Sequence, residues 1–222
     1  LRDYILQRQD HPMIPSTVAD DFDYCRPSRR KTTAVGNIGG DQVPVVICSQ
    51  MEAERTLNEQ FRPDYLYCGT HLPEKRIEGM KYIVDISGWT GEADTYPAFS
   101  SYTENSMLHL LPFCSAPIKF LFATYITMNE EVMACLKYHP EIVVISQSNH
   151  PNRTGEHRAL VHEMTRAGLS NPVIIFQHYA EEVKDDFQLK SAADMGALMM
   201  DGLVDGIYLH NQNQAIATDV ID

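Results

Sequence analysis

From residue 43 onward, short β-branched or aromatic runs recur along the chain. They are Val43–Cys48, Tyr65–Cys68, Tyr82–Ile86, Tyr96–Ser100, Lys119–Tyr125, Ile142–Ser146, Val173–Gln177 and Gly206–His210, with Tyr96–Ser100 the weakest. Several are apolar at consecutive positions: Val-Val-Ile at 45–47, Ile-Val-Val-Ile at 142–145, Val-Ile-Ile-Phe at 173–176. A strand covered on one face alternates apolar and polar, so these runs predict strands covered on both faces, as in a parallel sheet or barrel.

Helical periodicity fills many of the gaps. Residues 52–61 are charged, with Leu57 and Phe61 four apart. Thr127 stands three before Glu130, a capping-box spacing, and the helix it predicts buries Val132, Cys135 and Leu136 and stops at Pro140. Residues 154–167 place Leu160, Val161, Met164 and Ala167 on one face, with Gly168 to close the C-terminus. Residues 183–200 form the longest helical segment. The gaps between Cys68 and Tyr82 and between Ile86 and Tyr96 are too turn-rich for full helices. Eight strands with interposed helices predict an α/β fold: a (β/α)8 TIM-barrel-like domain with two abbreviated crossovers. An open doubly wound parallel sheet is the alternative.

The first forty residues read differently. His11-Pro12, Ile14-Pro15, Arg26-Pro27 and Gly36-Asn37-Ile38-Gly39-Gly40 break regular structure. Residues 1–40 are expected to form an extended N-terminal arm or linker with a short helix over 1–9, and residues 41–222 the barrel-like domain. Charge follows the same division. Residues 1–40 are net +1, whereas the whole chain is net −12, with 18 Lys and Arg against 30 Asp and Glu. That balance argues against nucleic acid or an anionic membrane as the main partner, since both require a basic surface. No apolar run reaches the length of a membrane span and no signal peptide opens the chain. Ending just after a strand-like run, the chain is expected to be a fragment of something longer. Its five cysteines are widely spaced with no C-x-x-C pair, which predicts reduced thiols and no local metal or cluster loop.

In a parallel barrel, functional groups gather at the C-terminal ends of the strands. Those ends carry Ser49 and Gln50, Asp85, Ser146-Gln147-Ser148-Asn149-His150, Gln177-His178 and His210-Asn211. Asn149, His150, Arg153, His178 and His210 are the binding candidates at this mouth, with the histidines suited to proton transfer. The plainer reading is that strand ends are polar anyway and bond to backbone. Asn152 to His157 opens a helix after a strand, where free amides and Arg153 could hold an anion, although capping explains Asn152 and Thr154 equally well. His157 and His162 are five apart, off the spacing that aligns two metal ligands, and are expected on a solvated face. Arg26, Arg29, Arg30 and Lys31 form the one basic cluster; a solvated linker is its default reading, contact with a phosphate or an acidic neighbouring domain its functional one. No G-x-S-x-G elbow is present.

Specific phrases narrow this further. VVISQSNHPNRTGEHRALVHEM at 143–164, NPVIIFQHYAEE at 171–182 and QLKSAADMGALMMDGLVDGIYL at 188–209 resemble the three-domain, plant- and Bacteroidetes-type 4-hydroxy-3-methylbut-2-enyl diphosphate synthases. KTTAVGNIGGDQVPVVI at 31–47 and GMKYIVDI at 79–86 resemble the same family's upstream segment. The resemblance covers essentially the whole chain and points to the central inserted domain, between a catalytic barrel and an iron–sulfur domain. It implies a second barrel with a mainly structural role in the reductive ring opening of 2-C-methyl-erythritol 2,4-cyclodiphosphate, in non-mevalonate isoprenoid biosynthesis. It further implies a cytoplasmic bacterial enzyme whose [4Fe–4S] cluster, catalytic residues and contact with ferredoxin or flavodoxin lie on the flanking domains. On this chain it implies no catalytic residue, no metal and no cofactor. The competing readings are an anion or small-molecule binding module and an independent barrel enzyme.

Overall fold

The computed structural model describes residues 1–12, 22–49, 62–101 and 108–213. The predicted helix over 52–61 and Gln50 lie outside them. The described elements are α1 (Arg2–Asp10), β1 (Val45–Ser49), β2 (Tyr65–Tyr67), β3 (Lys81–Asp85), β4 (Thr95–Ser100), a 3-10 turn η1 (Leu108–Phe113), β5 (Lys119–Ala123), α2 (Glu130–Tyr138), β6 (Ile142–Gln147), α3 (Arg153–Arg166), β7 (Val173–Tyr179), α4 (Lys184–Met200) and β8 (Gly206–Asn211). The strands pair in sequence order, all parallel, and β8 returns to β1 with Val45 opposite Gly206, which closes the barrel and removes the open-sheet alternative. Closure rests on a side chain that is missing. A Cβ on Gly206 would stand 2.6 Å from the Val45 carbonyl oxygen, so only glycine lets β8 lie this close to β1.

Consecutive apolar residues are explained by two separate cores. Inward positions form one cluster with Val45, Ile47, Tyr65, Ile83, Phe120, Phe122, Val143, Ile145, Ile174 and Tyr208. Outward positions of β4 to β8, including Leu121, Val144, Val173 and Ile175, join Leu136, Leu160, Met164, Phe187 and Leu198 beneath η1 and α2–α4. No helix stands between β2 and β3 or between β3 and β4 among the described residues; there a smaller cluster of Cys48, Leu66, Met80 and Tyr82 lies under loops.

The N-terminal end of the barrel is stoppered. Val35 and Ile38 make an antiparallel bridge and belong to the inner core. Asn37 between them is held by three groups: Tyr65 Oη and Lys81 Nζ donate to its Oδ1 at 2.6 and 2.7 Å, and its Nδ2 donates to Asp64 at 3.1 Å.

Two local expectations are corrected. The helix α2 is capped by Asn129, whose side chain accepts from the Val132 N–H at 3.0 Å, because Asn129 is extended and directly precedes the first turn. Thr127 instead bonds Ser101 and Thr124. Cys135 of the same helix is only partly buried, because α2 turns Val132 and Leu136 inward.

Candidate functional site

At the C-terminal mouth the pleat of each strand divides the polar residues into two groups, because neighbours point to opposite faces of a sheet. Tyr67, Phe122, Phe176 and Tyr208 lie on the inward face and form an aromatic floor, with ring centroids 5.4 Å apart for Tyr67–Phe122 and 4.6 Å for Phe176–Tyr208. Asp85 joins this inner face, where Tyr67 Oη donates to its carboxylate at 2.8 Å. His178 and His210 follow Phe176 and Tyr208 at strand period; their rings stack with centroids 5.0 Å apart and an interplanar angle of 29°.

Ser146 and Gln177 face the other way, into the layer between the sheet and α3. Ser146 Oγ is 2.7 Å from His157 Nδ1, and His157 Nε2 is 3.4 Å from the Gln177 amide. With the Gln177 oxygen turned to accept from Arg153 Nη1 and Nε at 3.2 and 3.3 Å, its NH2 donates to His157 Nε2, and His157 Nδ1–H donates to Ser146. Burial pushes the His157 pKa down to about 4. A serine hydroxyl beside an imidazole has the outline of a nucleophile and its base, but the Nδ1 that faces Ser146 already carries the proton and cannot take the hydroxyl's. Here both residues are 1% exposed, so no substrate reaches them and the pair is part of the packing. His157 and His162 were expected on a solvated face; both are buried, because Leu160, Val161 and Met164 turn that side of α3 inward.

The remaining candidates are partly tied down. His150 Nδ1 accepts from the Asn152 N–H at 2.9 Å, and the His150 N–H donates to Ser148 at 3.2 Å, so its ring closes a local turn. Asn152 caps α3 by accepting from the Gly155 N–H at 2.9 Å. Asn149 is exposed on the same loop. Arg153 donates to the His178 carbonyl at 3.3 Å and lies over the Tyr179 ring at 5.5 Å. The mouth therefore brings His178 and His210 together, with Asp85 on the same inner face, and commits Arg153 and His150 elsewhere.

One polar centre was not read from the sequence. Asp194 of α4 is buried and accepts from Tyr4 Oη at 2.5 Å, Tyr179 Oη at 2.9 Å and the Arg8 guanidinium, with Arg153 at 4.0 Å. Burial, followed by the carboxylate's influence, pushes the phenol pKa of Tyr4 and of Tyr179 up. The available signal was helical phase: Phe187, Ser191, Asp194 and Leu198 share one face, an acid among groups that turn inward.

No group of three or more His, Cys, Asp or Glu among the described residues could hold a metal ion. The five cysteines form no disulfide and lie on separate segments, so they do not fit a cluster that needs several thiolates at one point. No helix among the described residues is long and apolar enough to cross a membrane.

Closed parallel strands, interleaved helices and a polar C-terminal mouth define a TIM-barrel-type α/β domain. No protein-family model matches it. Over all 222 residues the chain is 57% identical to the 4-hydroxy-3-methylbut-2-en-1-yl diphosphate synthase (flavodoxin) of Bacteroides thetaiotaomicron, of which it covers 35%. The proteins of the same description from Phocaeicola vulgatus and Parabacteroides distasonis are 52% and 33% identical, over 96% and 99% of the chain and 34% and 35% of their own lengths. The chain is thus a relative of one segment of that synthase family, spanning about a third of the length of the curated relatives it matches.

Proposed function

We propose that the chain is the central barrel of a three-domain 4-hydroxy-3-methylbut-2-en-1-yl diphosphate synthase and serves there mainly as a spacer. The observation that carries this reading is the full-length match to a third of such synthases, by a barrel whose mouth spends Arg153 and His150 on its own backbone. In this role the barrel sets the distance and angle at which a substrate barrel and a cluster domain close within one chain. The whole enzyme, a cytoplasmic oxidoreductase of isoprenoid biosynthesis, would convert 2-C-methyl-erythritol 2,4-cyclodiphosphate with a [4Fe–4S] cluster bound outside this segment. Flavodoxin, named in the relatives' description, is the proposed electron donor, with ferredoxin the alternative. Residues 1–40 would serve as the arm that leads into the barrel.

A second reading has its own observation: the stacked His178–His210 pair above an aromatic floor is a site for a small molecule or anion. The two part on one measurement. His178→Ala and His210→Ala in the full-length enzyme each lose about a hydrogen bond, 0.5–1.5 kcal/mol of stability, and leave turnover nearly unchanged if the barrel is a spacer. A catalytic acid or base at the mouth predicts a loss of about 10²–10⁴-fold. A loss beyond about a hundredfold, in a variant that folds and retains its cluster, would reject the spacer.

A further inference from the structure

The basic cluster of the arm frames a second cavity, at the barrel's N-terminal end and away from the mouth. It has a volume of about 390 Å³ and lies between residues 28–31 and the segments that follow α3 and α4. Its lining carries the cations Arg29, Arg30 and Lys31 together with the apolar Phe22, Leu169 and Leu203. Among the described residues no carboxylate lines it, in a chain that carries thirty acidic residues against eighteen basic.

The state of each cation decides what the cavity attracts. Arg29 stands 3.5 Å from the buried Asp205, which balances one charge. Arg30 turns inward, donates to the Leu169 and Asn171 carbonyls and to Thr165 Oγ1, and shares with Arg29 the attraction of Asp205, so the cations here outnumber the one carboxylate near them. Those carbonyls follow the C-terminal end of α3, whose partial negative charge offsets Arg30 in part. Lys31 is exposed and appears in no ion pair among the described residues. The lining therefore combines an excess of positive charge with apolar surface. Its volume falls in the range of small-molecule sites, about 300–1,000 Å³.

We propose that this cavity binds a small organic phosphate monoester, its dianionic head at Lys31 and Arg29 and its apolar body against Phe22 and Leu203. A dianion is favoured over a carboxylate because more than one cation faces the opening, and a bare phosphate would leave the apolar surface unused. The proposal is independent of the spacer reading, since the site shares no residue with the mouth.

Phenyl phosphate, benzoate and inorganic phosphate, titrated calorimetrically into the 222-residue chain, test it. Phenyl phosphate is expected to bind about tenfold tighter than either of the others. Lys31→Gln, an exposed substitution, is expected to weaken it several-fold, with Arg29→Lys closer to the parent. Amide shifts from phenyl phosphate should fall on Gly168, Ser170 and Leu203, leaving His178 and His210 unmoved. Absence of saturable binding would overturn the proposal, as would equal affinity for inorganic phosphate. Undiminished affinity in a folded Lys31→Gln chain, or shifts confined to the mouth, would overturn it too.

Discussion

Two halves of this barrel meet the same requirement by different means. The outer faces of β5 to β8 lie under α2, α3 and α4, in one large apolar cluster. The outer faces of β2 and β3 lie under loops that a few directed hydrogen bonds hold in place. Tyr82 Oη accepts from the Ile77 N–H at 2.7 Å, the Trp89 indole N–H donates to Thr95 Oγ1 at 3.1 Å, and Thr95 Oγ1 donates to the Glu92 carbonyl at 2.6 Å. Leu66 and Tyr82 are nonetheless as buried as residues beneath the helices. A barrel strand requires its outer face to be dry and its backbone paired; a helix is one way to keep it dry.

The difference between covers should appear in stability measurements. Phe187→Ala, beneath the helices, is expected to cost about 3–5 kcal/mol, because rigid neighbours on several elements cannot collapse into the void. Leu66→Ala, beneath the loops, should fall near the lower end of its 2–5 kcal/mol range, since short loops settle more readily. Urea denaturation of both variants measures this, and a larger cost for Leu66 would break the comparison.

Acid should loosen the halves unequally. The unfolded His157 titrates near its ordinary value of 6.5, the folded one at about 4. Between those values the unfolded chain binds the extra proton, so stability falls as pH drops from about 6.5 to 4, by up to about 3 kcal/mol, and then levels. Hydrogen exchange at pH 5 against pH 7 should show the loss in α3, β6 and β7, with residues 68–94 unchanged. His157→Gln should flatten that slope; an equal slope in the variant would assign the acid sensitivity elsewhere.

A smaller and more local effect is expected at α1. This helix buries no residue and is held through Tyr4 and Arg8 on Asp194. Asp194→Asn should release it at a cost of about 1–3 kcal/mol, seen as lost exchange protection over residues 2–10 with the barrel strands still protected. Protection retained in α1 would mean that contacts other than this carboxylate hold it.

Sequence reading succeeded where one period dominated. Ile142–Ile145 and Val173–Phe176 are apolar at every position because both faces of each strand are covered, and a continuous run carries that information by itself. The missing crossover helices were legible for the opposite reason, in the turn residues of 68–80 and 86–94. Side-chain direction was not legible at the mouth. Gln177 and His178 are adjacent in sequence, yet one bonds into the helix layer and the other stacks at the opening, and which is which depends on a register that only pairing sets. Val35 and Ile38 had no periodic signal either. They are two apolar residues in a glycine-rich turn, buried by contacts with residues far along the chain. Asp194 was concealed among the other charged residues of α4 because its partners Tyr4 and Arg8 lie 190 and 186 residues away.

The pairing of Val45 with Gly206 also fixes a timetable. Strand β1 leaves the ribosome long before β8 exists; at about 5–20 residues per second the interval is roughly 8–30 s. Throughout it, one edge of β1 carries amides and carbonyls with no neighbour, the kind of edge that recruits other chains. The loop-covered half is made first and waits, and the helix-covered half arrives with the strand that seals it. Interruption of synthesis anywhere before Gly206 leaves an open sheet with two bare edges, so the nascent barrel is most in need of a chaperone while β6 to β8 are being made.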